Sequence, residues 1–445
     1  MDIGSRLELF VDDFLIEAME GVVLKLHHPI PREVALYLDR PWEGPISYDP
    51  VVMKEGDRYR MWYRGWYGEG EALRTCYAES LDGVVWERVN VGDIEFEGSR
   101  ENNIVIDGSA ARAVCVFRDE NPDAPDAERY KATGVGDPID GRATIMALVS
   151  ADGLHWKPMQ EKPIIVAPAG SPHFDSHNIF FWDDLKGHYL AYLRDWVEPG
   201  IRSIRWGTSS DFRVWSELRT IDMGDSPKEE LYKNAAQPYF RAPHIYLMFP
   251  KRFVPERKAI ATASHPGVSD TVFMSSRDGC RWDRRFMEAF LRPGLDPDNW
   301  TDRNMYVGPR VTPTGSGEMS LYYMEHYRHP TVRIRRASLR TDGFVSVHAR
   351  YDGGEFLTKP LTSEGEALVL NYATSAVGSV RVEIQDAEGR PIPGYSLAEA
   401  LEIYGDEVER VVSWKDGADV RRLAGQPVRL RFALKDADLF SMRFR

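Results

Sequence analysis

One turn, repeated along the chain, constrains the fold more than any other feature. Ser150-Ala-Asp152-Gly153-Leu-His-Trp156 recurs with the same spacing as Ser80-Leu-Asp82-Gly83-Val-Val-Trp86, Ser209-Ser-Asp211-Phe212-Arg-Val-Trp215 and Ser276-Arg-Asp278-Gly279-Cys-Arg-Trp282. A weaker copy, Thr341-Asp342-Gly343-Phe344, has Phe closer in, where the others have Trp. The copies stand about 60–70 residues apart, a period that signals a repeat architecture. Asp bonds the backbone that follows it and starts a turn, Gly accepts positive φ there, and the Ser hydroxyl can bond the same turn. The Trp supplies a large apolar plate for packing between neighbouring repeats.

An alternating aromatic strand precedes each turn: Tyr59–Tyr63, Tyr130–Thr133, Tyr189–Tyr192, Ile245–Phe249 and Leu321–Met324. A second strand runs into it: Arg74–Ala78, Thr144–Leu148, Ser203–Trp206, Thr271–Met274 and Val332–Arg336. Strand, turn, strand, Asp-Gly turn and strand, five times over, predict the five blades of a β-propeller. Leu7–Ile16 reads as an N-terminal strand closing the ring against the last blade, with Asp12-Asp13 as a turn. After about Val345 the strands become regular and alternating: Ala367–Tyr372, Ser379–Ile384, Val428–Phe432 and Ser441–Arg445. They predict an antiparallel β-sandwich that stabilises the first domain, with Ser396–Glu402 as a short helical insert or loop. The expectation is therefore an all-β chain, a five-bladed propeller over residues 1–345 and a sandwich over 346–445.

The 445 residues carry a formal charge of −13, which argues against nucleic acid or anionic membranes as partners. No run of about 18 apolar residues exists to span a bilayer. The start Met1-Asp-Ile-Gly-Ser lacks a secretory signal, so the chain is expected in the cytoplasm, or outside it if a signal has been removed. Cys76, Cys115 and Cys280 show no metal spacing and read as plain thiols, and neither cofactor nor metal is expected. Homo-oligomerisation is left open.

Propellers bind ligands where the starts of the inner strands converge. Here those starts offer Asp49, Asp175, His177, Asn178, Glu229 or Glu230, Asn234, Gln237, Arg303 and Asn304, with Trp300 as a sugar-stacking platform. Paired carboxylates in one pocket suit glycosidic cleavage: one protonates the leaving oxygen, the other attacks the anomeric carbon or activates water. Asp49, Asp175 and Glu229 are the catalytic candidates. The second strands end in Arg64, Arg194, Arg252 and Glu325; the guanidinium groups either bind a carboxylate, sulfate or phosphate or pair with neighbouring acids.

Together these residues resemble the five-bladed-propeller glycoside hydrolases. The invertase and fructanase family pairs the same two domains, and the arabinanase and xylosidase families share the propeller. Leu9-Phe-Val-Asp-Asp-Phe-Leu-Ile-Glu17, Phe174-Asp-Ser-His-Asn-Ile-Phe-Phe-Trp182 and Arg285-Phe-Met-Glu-Ala-Phe-Leu-Arg-Pro-Gly294 resemble an uncharacterised bacterial group described as family-32-like. Of the invertase motif Asn-Asp-Pro-Asn-Gly only Asp49-Pro50 corresponds, and the Glu-Cys acid is absent, which argues against fructan as substrate. The resemblance implies an exo-acting hydrolase that removes a terminal furanose or acidic sugar from an oligosaccharide or glycoconjugate. Asp49 would be base or nucleophile, a glutamate of the Glu229-Glu230 pair the acid, and Asp175 its partner or a sugar ligand. A phosphorylase needing only one acid and a non-catalytic sugar-binding propeller are the alternatives.

Overall fold

The computed structural model describes residues 1–66, 68, 72–112, 114–168, 174, 175, 177–198 and 200–445. They form an all-β chain of antiparallel sheets, with one short parallel pair of Asp2–Gly4 and Thr362–Ser363, in two compact units, one of residues 29–338, the other of 1–28 with 339–445.

The larger unit is a succession of sheets built as up-and-down meanders. The first contains Tyr48–Glu55, Arg58–Gly65, Arg74–Ser80 and Ile104–Asp107. The second contains Cys115–Arg118, Tyr130–Ile139 and Arg142–Ser150, and the third Ile179–Asp183, His188–Glu198 and Ile201–Ser209. The fourth repeat is split in two, Glu230–Lys233 with Lys251–Val254 and Val268–Thr271, and Gln237–Tyr239 with Ala242–Met248 and Met274–Ser276. The fifth sheet pairs Thr312–Pro313, Glu318–Glu325 and Arg333–Arg340, then takes Ile30–Tyr37 as its outer strand. Ile30–Tyr37 is thus the strand that joins the start of this unit to its end. Leu7–Ile16, expected in that place, lies in the other unit, where Glu8–Leu9 pairs with Ser441 and Met442. The Asp12 carboxylate accepts from Phe14 N–H in the turn expected there.

The repeated turns explain how neighbouring sheets are joined. In each of the first four, the Asp carboxylate accepts from the backbone N–H groups two and three residues on: Val84 and Val85, Leu154 and His155, Arg213 and Val214, Cys280 and Arg281. Positive φ falls on Gly83, Gly153, Phe212 and Gly279. The turn then docks on the preceding sheet. Gly83 O accepts from Tyr322 of the fifth sheet, Gly153 O from Trp62 of the first, and Gly279 O from Tyr192 of the third. Phe212 packs on Phe117 of the second sheet instead. Gln237 of the fourth repeat accepts from Val311 N–H in the fifth, so the chain of contacts returns to its start. Val51, Cys115, Ile179 and Ala236, from the first strands of four repeats or beside them, share one apolar cluster.

The weaker copy at Thr341 does not repeat this turn. It lies in the other unit, its positive φ falls on Asp342, and Gly343 N–H donates to Arg340 O.

At Gly153 φ is +79°, and a Cβ there would stand 2.9 Å from the Trp62 ring. Gly153→Ala is expected to cost about 1–3 kcal/mol, read as a lower denaturant midpoint for the unit.

In the smaller unit, Leu368–Asp386 and Val428–Phe444 pair along most of their length, with a register break between Thr374 and Ser379. Each is one long strand where the sequence suggested two: the irregularity at Gly378, opposite Asp436 with φ +41°, is absorbed as a register break and not as a turn. The other edge of Val428–Phe444 is covered in succession by Gly354–Thr358, Val345–Ala349 and Glu8–Leu9. Ile16–Glu20 and Val22–Leu26 extend the sheet on either side. The domain boundary expected at residue 345 therefore moves: residues 1–28 and 339–345 belong with the C-terminal strands. Alternating positions such as Val380, Val382, Ile384, Leu430 and Phe432 fill the core.

Candidate active site

The site forms where the first sheet begins. Asp49 is the second residue of Tyr48–Glu55 and is 2% exposed, with φ +65°. Left-handed backbone costs a non-glycine residue about 1–2 kcal/mol, and pairing with the next strand is interrupted between Tyr48 and Val51. The irregularity turns the carboxylate out of the ladder. Lys233 donates to Asp49 Oδ1 from the fourth repeat, and Arg64 Nη1 stands 3.7 Å from Oδ2. Oδ2 itself accepts no hydrogen bond among the described residues.

Burial alone would push the Asp49 carboxyl up, but Lys233 and Arg64 outweigh it and hold the group below the usual carboxylate range. The same burial brings the Lys233 ammonium down to about 8, against the pull of Asp49. That ammonium lies 3.5 Å from the Tyr48 ring centroid and 4.3 Å from that of Tyr306. Burial raises the Tyr48 phenol to about 12, so it stays a neutral donor.

Asp175 arrives from the segment leading into the third sheet and is exposed. Tyr232 donates its hydroxyl to Asp175 Oδ2. The charges of Asp49 and Asp175 both act on Tyr48, Arg64 and Lys233, so the two carboxylates share one set of neighbours. A break in pairing between Leu231 and Lys233 lets consecutive residues, Tyr232 and Lys233, serve the same site.

Around the Tyr232 ring stand Arg194, Arg202, Arg303 and Lys251, at 5.2, 5.0, 5.7 and 4.3 Å from its centroid. Lys251 is fully buried, and its Nζ has no hydrogen-bond partner among the described residues. Burial, with Lys233 and Arg303 nearby, carries its ammonium well below the ordinary lysine range.

Several residues expected here serve other purposes. Both Glu229 oxygens are engaged, by Arg252 at 2.9 Å and Arg284 at 2.7 Å, and Arg252 also grips Asp270 at 2.6 Å. Glu229 and Arg252 are thus held in one ion-pair network with Arg284 and Asp270. Glu230 is bound by Arg202. Glu325 is held by Arg333 and Tyr323, at 2.7 and 3.0 Å. His177 is a buried link: Nε2–H donates to Val114 O at 3.1 Å, which leaves Nδ1 to accept from Tyr306 at 2.7 Å. Burial lowers it to about 4, so it is neutral. Asn178 accepts from Arg194 N–H and donates to Asp175 O, which positions the acid without facing a ligand. Asn234 is committed to Tyr192 O and Ala236 N–H, and Asn304 to Thr301 and Tyr327 N–H. Gln237 lines a different cavity of about 360 Å³, with Met53, Glu55, Arg310 and Thr312, toward the far end of the Tyr48–Glu55 strand from Asp49. Trp300 is 37% exposed and anchored through its indole N–H to Gly294 O. Ser176, between Asp175 and His177, lies outside the described residues.

The structure brings the expected Asp49, Asp175, Arg64, Arg194 and Arg303 together with Tyr48, Lys233, Lys251 and Tyr232, which the sequence reading did not single out. A lysine flanked by Tyr232 and Asn234 in a buried strand was the available signal, since an ammonium is seldom buried without a partner. Asp296, Asp298 and His326 also bring ligand-type atoms together, but Asp296 Oδ2 is bound by His326 and Arg333, at 2.8 and 3.1 Å.

No family model matches the chain. Two uncharacterized proteins of Mycobacterium tuberculosis, from strains CDC 1551 / Oshkosh and ATCC 25618 / H37Rv, are 34% and 33% identical over 133 residues. The match spans 28% of this chain and 38% of each relative. The structure is similar to glycoside hydrolases of families 43 and 32. A thermostable family-43 glycoside hydrolase matches with TM-score 0.45 and 16% identity over 68% of this chain and 94% of its own. A fructofuranosidase from Schwanniomyces occidentalis complexed with fructosylnystose matches with TM-score 0.45 and 10% identity over 92% of this chain and 97% of its own. An N-acetylgalactosamine deacetylase from F. plautii in complex with blood group B trisaccharide gives 0.48 and 15%, over 72% and 96%.

Proposed function

We propose that residues 29–338 are a five-bladed β-propeller, accompanied by a β-sandwich, and that the chain is an exo-acting glycoside hydrolase. The observation that carries this reading is that consecutive residues of one strand, Tyr232 and Lys233, donate to Asp175 and Asp49, two carboxylates that arrive from different parts of the chain. Asp49 is ionised and buried, and its Oδ2 accepts no hydrogen bond among the described residues, which leaves a lone pair for the work of a base or nucleophile. With Glu229 and Glu230 committed to arginines, the acid is Asp175. Its exposure suits a group that protonates a departing sugar oxygen.

The test is turnover of a panel of aryl glycosides and natural oligosaccharides by the full chain. Asp175→Asn is expected to lose about 10²–10⁴-fold in kcat on natural linkages. It is expected to lose much less on aryl glycosides with good leaving groups, which need no proton. Equal losses on both substrate types count against the acid role, and no turnover across the panel counts against the enzyme.

The cations around Tyr232 favour a second reading, an inverting phosphorylase with inorganic phosphate as nucleophile. Turnover that depends on added phosphate distinguishes it.

A further inference from the structure

The geometry points to an oxyanion as the feature by which this site recognises its substrate, seated beside Tyr232 between Arg194 and Arg303 with Lys251 close by. Two sources share that chemistry: the carboxylate of an acidic sugar, and inorganic phosphate as co-substrate. The inference rests on the glycosidase reading of the site and sharpens its substrate class.

The protein as a whole is strongly acidic, with a formal charge of −13, so a local excess of cations is not a by-product of composition. Arg194, Arg202, Arg303 and Lys251 surround one phenol ring, and Arg64 and Lys233 lie on its Asp49 side. Among the described residues the carboxylates here are Asp49, Asp175, Glu230 and Asp302, four against six basic side chains. Asp49 meets Lys233, Asp175 accepts from Tyr232, Glu230 meets Arg202, and Asp302 lies by Arg303 and Arg328.

Lys251 is the clearest sign. Lys251 is fully buried and its Nζ meets no acceptor among the described residues, so burial keeps the amine neutral until an anion beside it favours its proton. Arg303 is the accessible member, about one-third exposed. Its nearest acid, Asp302, stands 3.7 Å away and also faces Arg328 at 3.3 Å. Arg303 is held at φ +63°, a backbone state that a non-glycine residue adopts only when its surroundings compel it. A planar guanidinium, with a buried amine nearby that an anion would protonate, matches a carboxylate or phosphate better than a neutral hydroxyl.

Protonation supplies an independent readout. Lys251 faces Lys233, Arg303, Asp49, Asp302 and Tyr232, and Lys233 faces Asp49, Arg64, Asp175, Tyr48 and Tyr306. An arriving anion adds a negative charge to both environments and draws protons onto the amines. Binding is therefore accompanied by proton uptake and weakens as pH rises through about 8.

Titration calorimetry on the full chain, in buffers of different ionisation enthalpy, tests this with matched probes: glucuronate against glucose, galacturonate against galactose, and inorganic phosphate. The expected result is binding of a uronate or of phosphate at least about tenfold tighter than the neutral sugars. Net proton uptake is expected, with a comparable loss in Arg303→Ala and partial recovery in Arg303→Lys. A uronate response assigns the anion to the sugar; a response to phosphate alone assigns it to the co-substrate. Neutral sugars binding as well as their acids with phosphate silent, no anion binding at all, or Arg303→Ala binding unchanged overturns the inference. Lys251→Met, checked for fold by thermal unfolding, is expected to abolish most of the proton uptake, and uptake that persists unchanged also counts against it. Cleavage of neutral glycosides without anion recognition would overturn this inference and leave the glycosidase reading standing. Anion binding without cleavage of any glycoside would do the reverse.

Discussion

Asp49→Asn is expected to leave the chain folded and to lower turnover by about 10²–10⁴-fold, with substrate affinity nearly unchanged. The exchange is close to isosteric. An amide oxygen still accepts from Lys233, and the Lys233 ammonium, already brought to about 8 by burial, releases its proton when the opposing charge goes. The buried Arg64 guanidinium loses the Asp49 charge but keeps that of Asp175. What disappears is the anionic oxygen, Oδ2, that accepts no hydrogen bond among the described residues and faces Arg64. A kcat that falls while KM holds is the signature of a group that acts in the transition state. Activity within about tenfold of the parent would remove Asp49 from the chemistry.

Lys233→Met is expected to cost about 3–5 kcal/mol in stability, the largest effect of any single change considered. Lys233 is fully buried, and the carboxylate it meets is nearly so. Without the ammonium, Asp49 faces only Arg64 across 3.7 Å. Its pKa climbs, and the acidic limb of any turnover profile moves to higher pH. Pairing the change with Asp49→Leu is expected to restore much of the loss, because a buried pair replaced by apolar groups is often neutral. A thermal melt of the single and double variants checks both statements.

The parent's pH dependence follows from the same two groups. Asp49 has a folded pKa below its unfolded one, so its contribution is present above about pH 4 and fades as pH falls through the lower folded value. Lys233 also has a folded pKa below its unfolded one. The unfolded chain binds more protons between about 8 and the ordinary lysine value of 10.5, so this group makes stability rise with pH across that interval.

The repeat was legible because its turn is local chemistry. Ser, Asp and Gly within four positions specify their own hydrogen bonds, and the same pattern recurs at Asp82, Asp152, Asp211 and Asp278. Even Phe212, standing where its counterparts have glycine, keeps the positive φ. Asp49 was legible for a related reason, since Asp-Pro at a strand start marks a backbone irregularity. What sequence could not supply was pairing at a distance. Nothing near Glu229 announces that Arg284, far along the chain, takes one of its oxygens. Nothing near Lys233 announces Asp49. Leu7–Ile16 reads as a strand, but its choice between two apolar partners is settled by the alternation of Val428–Phe444, more than four hundred residues later.

That late pairing has a bearing on biosynthesis. Residues 1–28 leave the ribosome before the strands they join, Val345–Ala349, Gly354–Thr358 and Val428–Phe444, have been made. Ile30–Tyr37 likewise waits for Arg333–Ser338. Contacts so remote in sequence make closure slow, and until it occurs these segments carry unsatisfied sheet edges. Such a polypeptide leans on chaperones during its own translation, and its yield on expression depends on elongation rate as much as on final stability.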